Sequence, residues 1–167
     1  MEKSRHNIIW TPWRMEYIKK VHEPGCVFCR KLKMKDGTGN LVLYRGKNAF
    51  VVLNKYPYTN GHLLIAPLKH FRDWEKLEPA TLMEMMSLSQ QMVKVLKKVM
   101  RPDGFNIGVN SGRSAGAGVL GHIHLHIVPR WCGDHNFLPI LGAAKVMPQT
   151  LAEVYNLLKK ELARHGR

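Results

Sequence analysis

Three histidines stand at every second position in Gly121-His122-Ile123-His124-Leu125-His126-Ile127-Val128-Pro129-Arg130, with apolar residues between them. That alternation constrains the fold more than any other feature of the chain. Side chains of a strand point to opposite faces in turn, whereas a helix would scatter the same residues around its girth. The segment therefore predicts a strand with a hydrophobic back (Ile123, Leu125, Ile127) and an imidazole front (His122, His124, His126), with neighbours on one face about 7 Å apart. Near neutral pH an imidazole is available as a free base or as a cation. One such ring can attack phosphorus, and others can donate hydrogen bonds to phosphoryl oxygens. An H-x-H pair on a strand can also chelate zinc, and that reading stays open at this level. Just upstream, "SGRSAGAGVLG" (111–121) offers backbone N–H groups with little side-chain obstruction, which suits a phosphate cradle.

The remaining pattern gives the strand a setting. "NLVLYRG" and "NAFVVLN" are short, β-branched or aromatic, and bracketed by Gly and Asn, so both read as strands. "KYPYTNG" carries turn signals, and "HLLIAP" follows as a third strand antiparallel to the second. Residues 79–100 read as a long helix with Pro79 in its first turn, and Leu82, Met85, Met86, Met92, Val93, Leu96, Val99 and Met100 on one stripe. Pro102 and Gly104 end it. The methionines read as a core face, with a binding groove as the weaker alternative. "FNIGVN" is a fourth strand, and Leu151, Val154, Tyr155, Leu158 and Leu162 give a closing helix. This order predicts an α+β fold with a mainly antiparallel sheet. At 167 residues with 45% hydrophobic content, one domain is expected, with an N-terminal arm (1–25), a core (26–150) and a C-terminal helix (151–167).

No apolar run is long enough to span a bilayer, and the N-terminus has no continuous apolar h-region, so a cytoplasmic protein is expected. The net charge of +14 fits either a polyanionic partner or a solvated basic surface. Three cysteines, of which Cys26 and Cys29 form a C-x-x-C, do not make a secreted disulfide framework. The pair reads as half of a tetrahedral zinc site or as two buried thiols, and histidines from elsewhere must complete any metal set. Trp10, Trp13 and Trp131 could shape a base site; Trp131, close behind the histidine strand, is the best placed.

"HIHLHIV" fits the His-φ-His-φ-His-φ-φ pattern, and with "WTPWRMEY", "LNKYPYTNGHLLIAP", "RPDGFNIGVNSGRSAG" and "VPRWCGDHNFLPILGAAKVMPQ" the chain resembles the histidine-triad (HIT) nucleotide hydrolases and transferases. The likeness extends over about residues 10–150 and points to the bacterial subgroup that includes diadenosine tetraphosphate phosphorylases. It implies that His124 is the nucleophile that forms a nucleotidyl-histidine intermediate. It implies that His126 and His62 hold phosphate and assist the leaving group, with Asn54 near the ribose and Asn110 near the phosphates. Where relatives carry Gln or Ser four residues before the first triad histidine, this chain has Gly118, which leaves the acceptor, water or phosphate, open; Ser114 is the nearest candidate hydroxyl. The resemblance also supplies a metal set: Cys26, Cys29, His70 of "PLKH" and His122, binding one structural zinc ion. It implies a homodimer acting on a nucleotide, with no membrane and no nucleic acid as partner. The expected substrate is a dinucleoside polyphosphate. Alternatives are a nucleoside phosphoramidate or related monophosphate conjugate, a hydrolase with zinc at the triad itself, and a zinc-containing nucleic-acid-binding module.

Overall fold

The computed structural model describes residues 25–134 and 147–165. The expected arm with Trp10 and Trp13 lies outside them, as does His135. Five strands form one antiparallel sheet in the order β1-β2-β3-β5-β4: β1 (Val42–Arg45), β2 (Ala49–Leu53), β3 (Leu63–Pro67), β4 (Gly104–Val109) and β5 (Leu125–Arg130). Among the described residues, three α-helices accompany it: α1 (Val27–Leu32), α2 (Pro79–Met100) and α3 (Leu151–His165). The α+β reading therefore holds, and all five expected strands and both long helices are present.

The core follows from the apolar pattern. β2 and β3 are buried along their whole length, as expected for central strands. Helix α2 packs on β2, β3 and β5, and α3 packs on α2 and β1. Met85, Leu88, Met92, Val95 and Leu96 form the buried stripe of α2. Met86, expected on that stripe, is instead 47% exposed. At 100° per residue it is turned well away from the stripe's centre beside Met85, which is fully buried. The helix stops because Arg101 adopts a left-handed backbone (φ 49°) directly before Pro102. Gly104, read as part of the stop, opens β4. Glu84 of α2 accepts the backbone N–H groups of Lys47 and Asn48, which fastens the β1–β2 turn to the helix.

Gly61 matters to the site. Its φ is +74°, and a Cβ there would lie 2.6 Å from the Met100 sulfur. Only glycine fits this turn, which sets the start of β3 and therefore His62, the next residue.

The histidine segment departs from its expected form. The triad was read as lying on one strand, but regular pairing begins at Leu125, so only His126 is in β5. His122 and His124 lie in the segment leading into it. There the Ile123 N–H turns away from the sheet ladder and donates to the Phe71 carbonyl at 2.7 Å. Ile123, Leu125 and Ile127 belong to the hydrophobic core as expected, and the three histidines between them are buried as well. The cysteine pair, given no element in the sequence analysis, belongs to a short helix: Cys26 is the N-cap residue of α1 and Cys29 lies within it.

Candidate active site and metal centre

The three triad histidines are buried but serve two clusters. Phe28 of α1 stands between them, its ring centroid 5.2 Å from that of His122 and 5.1 Å from that of His124.

The first cluster holds Cys26, Cys29, His70 and His122, whose ligand atoms all lie within 4.8 Å of one another. Sγ of Cys26 lies 3.3 Å from Nδ1 of His122, and Sγ of Cys29 lies 3.4 Å from Nδ1 of His70 and 3.7 Å from Nδ1 of His122. Sulfur and nitrogen ligands at ordinary zinc bond lengths in a tetrahedron stand about 3.5 Å apart, so the spacing fits one ion. The orientation fits as well. Nε2–H of His122 donates to the Pro67 carbonyl at 2.9 Å, which leaves Nδ1 with its lone pair toward the sulfurs. Burial, and then the neighbouring Cys26, raise the Cys29 thiol above its ordinary value; a bound cation would favour its thiolate. The four residues form a Cys₂His₂ set able to hold a metal ion.

The second cluster is a chain of hydrogen bonds whose proton positions can be deduced. A backbone N–H can only donate, so the 3.0 Å contact from Tyr58 N makes Nδ1 of His62 an acceptor. Asn54 is oriented by the Tyr56 N–H on its Oδ1, and its Nδ2 donates to the same His62 atom at 3.1 Å. His62 therefore carries its proton on Nε2 and donates it to Nδ1 of His126 at 2.9 Å. That in turn puts the His126 proton on Nε2, a buried atom with no hydrogen-bond partner among the described residues. A buried donor without a partner is costly, and its natural complement is a ligand's acceptor. Tyr58 lies parallel to the His126 ring at 5.9 Å and fixes its plane.

His124 completes the arrangement. Its Nδ1–H donates to the His122 carbonyl at 2.9 Å, leaving Nε2 as an unprotonated lone pair. Its ring lies 4.8 Å from that of His126. Burial lowers the His124 pKa from its ordinary value; burial and then His124 lower that of His126 to about 4. Burial thus favours the neutral form of both rings.

His124 and His126 line a cavity of about 720 Å³, within the usual range for a small-molecule site. Asn54 and Gly118 also line it. A Cβ at Gly118 would meet nothing within 4 Å, so the glycine loop leaves open space there. His62 is placed behind His126 and not in the lining. Asn110, Ser114 and Trp131 are not among the lining residues either, so of the glycine-rich loop only the end near Gly118 reaches the cavity. Phe28, Tyr58 and the Pro67 carbonyl were missed by the sequence reading. The first two carried a signal: an aromatic inside the C-x-x-C, and one in the turn just ahead of His62.

The HIT domain model matches residues 38–132. The chain belongs to the HIT domain family. An AP-4-A phosphorylase of Mycobacterium tuberculosis (strain H37Rv) is 41% identical over 165 residues, covering 93% of this chain and 84% of that protein. A Zn-bound histidine triad family protein from Mycobacterium smegmatis, known from its crystal structure, is similar at a TM-score of 0.68 and 30% identity, covering 85% of this chain and 96% of that one. A hypothetical histidine triad nucleotide-binding protein from Sulfolobus tokodaii strain7 gives a TM-score of 0.64 and 31% identity, over 83% and 90% of the two chains. Among the described residues of this HIT protein, no helix is long and apolar enough to cross a membrane.

Proposed function

We propose that the protein cleaves a dinucleoside polyphosphate of the diadenosine tetraphosphate kind through a nucleotidyl-histidine intermediate on His124. The observation that carries this reading is the pair of complementary nitrogens on two rings that line one cavity: a lone pair on His124 Nε2 and, on His126 Nε2, an N–H with no partner among the described residues. In the first step the His124 lone pair forms a bond to the α-phosphorus, the anhydride P–O bond breaks, and its electrons leave on the departing phosphate chain. His126 donates a hydrogen bond to a phosphoryl oxygen where negative charge gathers. In the second step an acceptor oxygen displaces His124 and frees the nucleotide. Two displacements divide one difficult cleavage into easier ones. Asn54 faces the ribose, and its bond to His62 keeps the donor chain in one tautomer. His62 is a positioning residue that acts through His126.

Inorganic phosphate is the acceptor we favour. Gly118 leaves space beside the reacting centre, and the Mycobacterium tuberculosis relative is a phosphorylase by name. Incubation with diadenosine tetraphosphate, with and without phosphate, tests the reading. Adenosine diphosphate and triphosphate formed only with phosphate present indicate phosphorolysis. Adenosine monophosphate with triphosphate indicates hydrolysis. No cleavage under either condition contradicts the reading.

Cys26, Cys29, His70 and His122 would hold one structural zinc ion, which ties α1 to the lead-in of β5. With four protein ligands no position stays open for water, so its role would be cohesion. The Zn-bound relative supports the choice of metal. Metal analysis of the purified protein should return about one zinc per chain. The strand β4 is a sheet edge with Ile107 47% exposed, which supports a homodimer formed across that edge. Ile107→Lys should shift the protein to monomer in light scattering. A cytoplasmic location accompanies this reading.

A further inference from the structure

One row of paired residues crosses the sheet: Val42 pairs with Val52, Val52 with Leu64, and Leu64 with His126, and the last three of these four residues line the cavity. Directly paired residues share a face, and three strand spacings carry this row about 14 Å from His126 to Val42. The two reactive histidines occupy one end. Between the ends, Val27, Phe28, Val52 and Leu64 line the cavity with apolar surface, which suits a flat ring and not phosphate oxygens. Lys31 and Lys55 line the same cavity.

Lys31 is held in place. Its Nζ donates to the Asn40 carbonyl at 2.6 Å. Asn40 is itself buried and bonded through its side chain to Gly37, Val42 and Lys31. Asn40 lies two residues before Val42, so the ammonium stands at the far end of the row from His126. Burial first, and then the charge of Lys55, pull the Lys31 pKa down to about 8. Such a poorly hydrated ammonium gains from an acceptor that replaces water. It has three donors and no acceptor, and Asn40 uses one donor.

We propose that Lys31, with Lys55 beside it, reads the base of the nucleoside whose phosphorus His124 attacks, and favours a purine edge rich in acceptors, guanine above adenine. The inference rests on the nucleotidyl reading above. A nucleotide fixed by its phosphorus at His124, with its ribose at Asn54, extends its base along the apolar floor toward Lys31. Guanine presents N7 and O6, both acceptors, whereas adenine sets a donor amino group beside its N7. A pyrimidine is shorter by one ring and stops short of the ammonium.

The test compares kcat/KM for diguanosine and diadenosine tetraphosphate in the wild type and in Lys31→Met, which keeps the length of the stem. The guanine-to-adenine ratio should fall about tenfold in the variant, the size of one good base-edge contact. An unchanged ratio overturns the proposal. So does a loss that is equal for both bases and grows with the number of phosphates, since that would make Lys31 a phosphate ligand. Should Lys31→Met fail to fold, calorimetric binding to the wild type decides instead: GMP should bind more tightly than AMP, and 7-deaza-GMP more weakly than GMP. Equal affinities would refute the inference. A wild type that binds GMP in this order but cleaves neither dinucleotide would sink the reaction and leave the base-reading site standing.

Discussion

Two histidine clusters lie on either side of Phe28 and use the same side chain in opposite ways. In the cluster of Cys26, Cys29, His70 and His122, the ligand atoms converge within 4.8 Å of one another. In the cluster of His62, His124 and His126, the rings are linked in series or tied to backbone, and each of the two that line the cavity leaves one nitrogen uncommitted. The backbone joins the clusters: the side chain of His122 belongs to the first, and its carbonyl sets the tautomer of His124 in the second. On the proposed reading, the closed set gives cohesion and the open set gives chemistry. What separates them is where each second nitrogen is bonded, not which residue is present.

The largest expected effect falls on the open cluster. His124→Ala should reduce turnover by roughly three orders of magnitude or more, the scale on which loss of a covalent nucleophile is measured. Nucleotide affinity by calorimetry should change only a fewfold. A variant that keeps wild-type rates on every dinucleotide would erase the distinction between the clusters. Next comes the closed cluster. Cys26→Ser/Cys29→Ser should lose its metal and melt several degrees lower or more, because binding free energy to a structural ion is folding free energy. Its residual turnover at low temperature should exceed that of His124→Ala. If chelation instead abolishes turnover while the melting curve stays unchanged, the metal belongs to the chemistry.

His62→Ala should have an intermediate effect. Loss of a residue that orients a functional group costs about 10- to 100-fold. The loss should appear in kcat more than in KM, since the ring sits behind His126 and outside the cavity lining. The smallest effect is on acid stability. The His126 pKa lies near 4 in the fold against 6.5 ordinarily, through burial and then the neighbouring His124. Between these values the unfolded chain binds more protons, so this contribution to stability is complete above pH 6.5, declines as pH falls toward 4, and then levels off. In denaturant titrations from pH 7 to 4.5, His126→Gln should weaken that decline relative to wild type. An identical pH slope would remove the burial argument.

Much of this was legible in the residues. The alternation in residues 122–127 gave the buried back of the segment correctly because apolar burial is a local, period-two signal. Helix α2 was legible from Pro79, its stripe and Pro102. The ligand set Cys26, Cys29, His70 and His122 came from family resemblance, and the four side chains do converge. Composition could not give the place where pairing stops at Leu125, because the competing acceptor is the Phe71 carbonyl more than fifty residues earlier in the chain. The placement of His62 behind His126 was hidden for the same reason. A tautomer depends on partners such as the Tyr58 N–H, which spacing alone does not reveal. Helix α1 was missed because six residues give too short a window for periodicity.

The central claim is that His124 bonds to phosphorus while His122 does not. Rapid quenching in alkaline denaturant, which preserves a phosphorus–imidazole bond that acid would hydrolyse, during turnover of diadenosine tetraphosphate, followed by peptide mass analysis under non-acidic conditions, tests it most directly. The account predicts one adenylyl group on the peptide containing residues 122–126, fragmenting to His124, absent from His124→Ala and still formed by Cys26→Ser/Cys29→Ser. An adduct on His122 or His126, or turnover with no adduct on any residue, would contradict it.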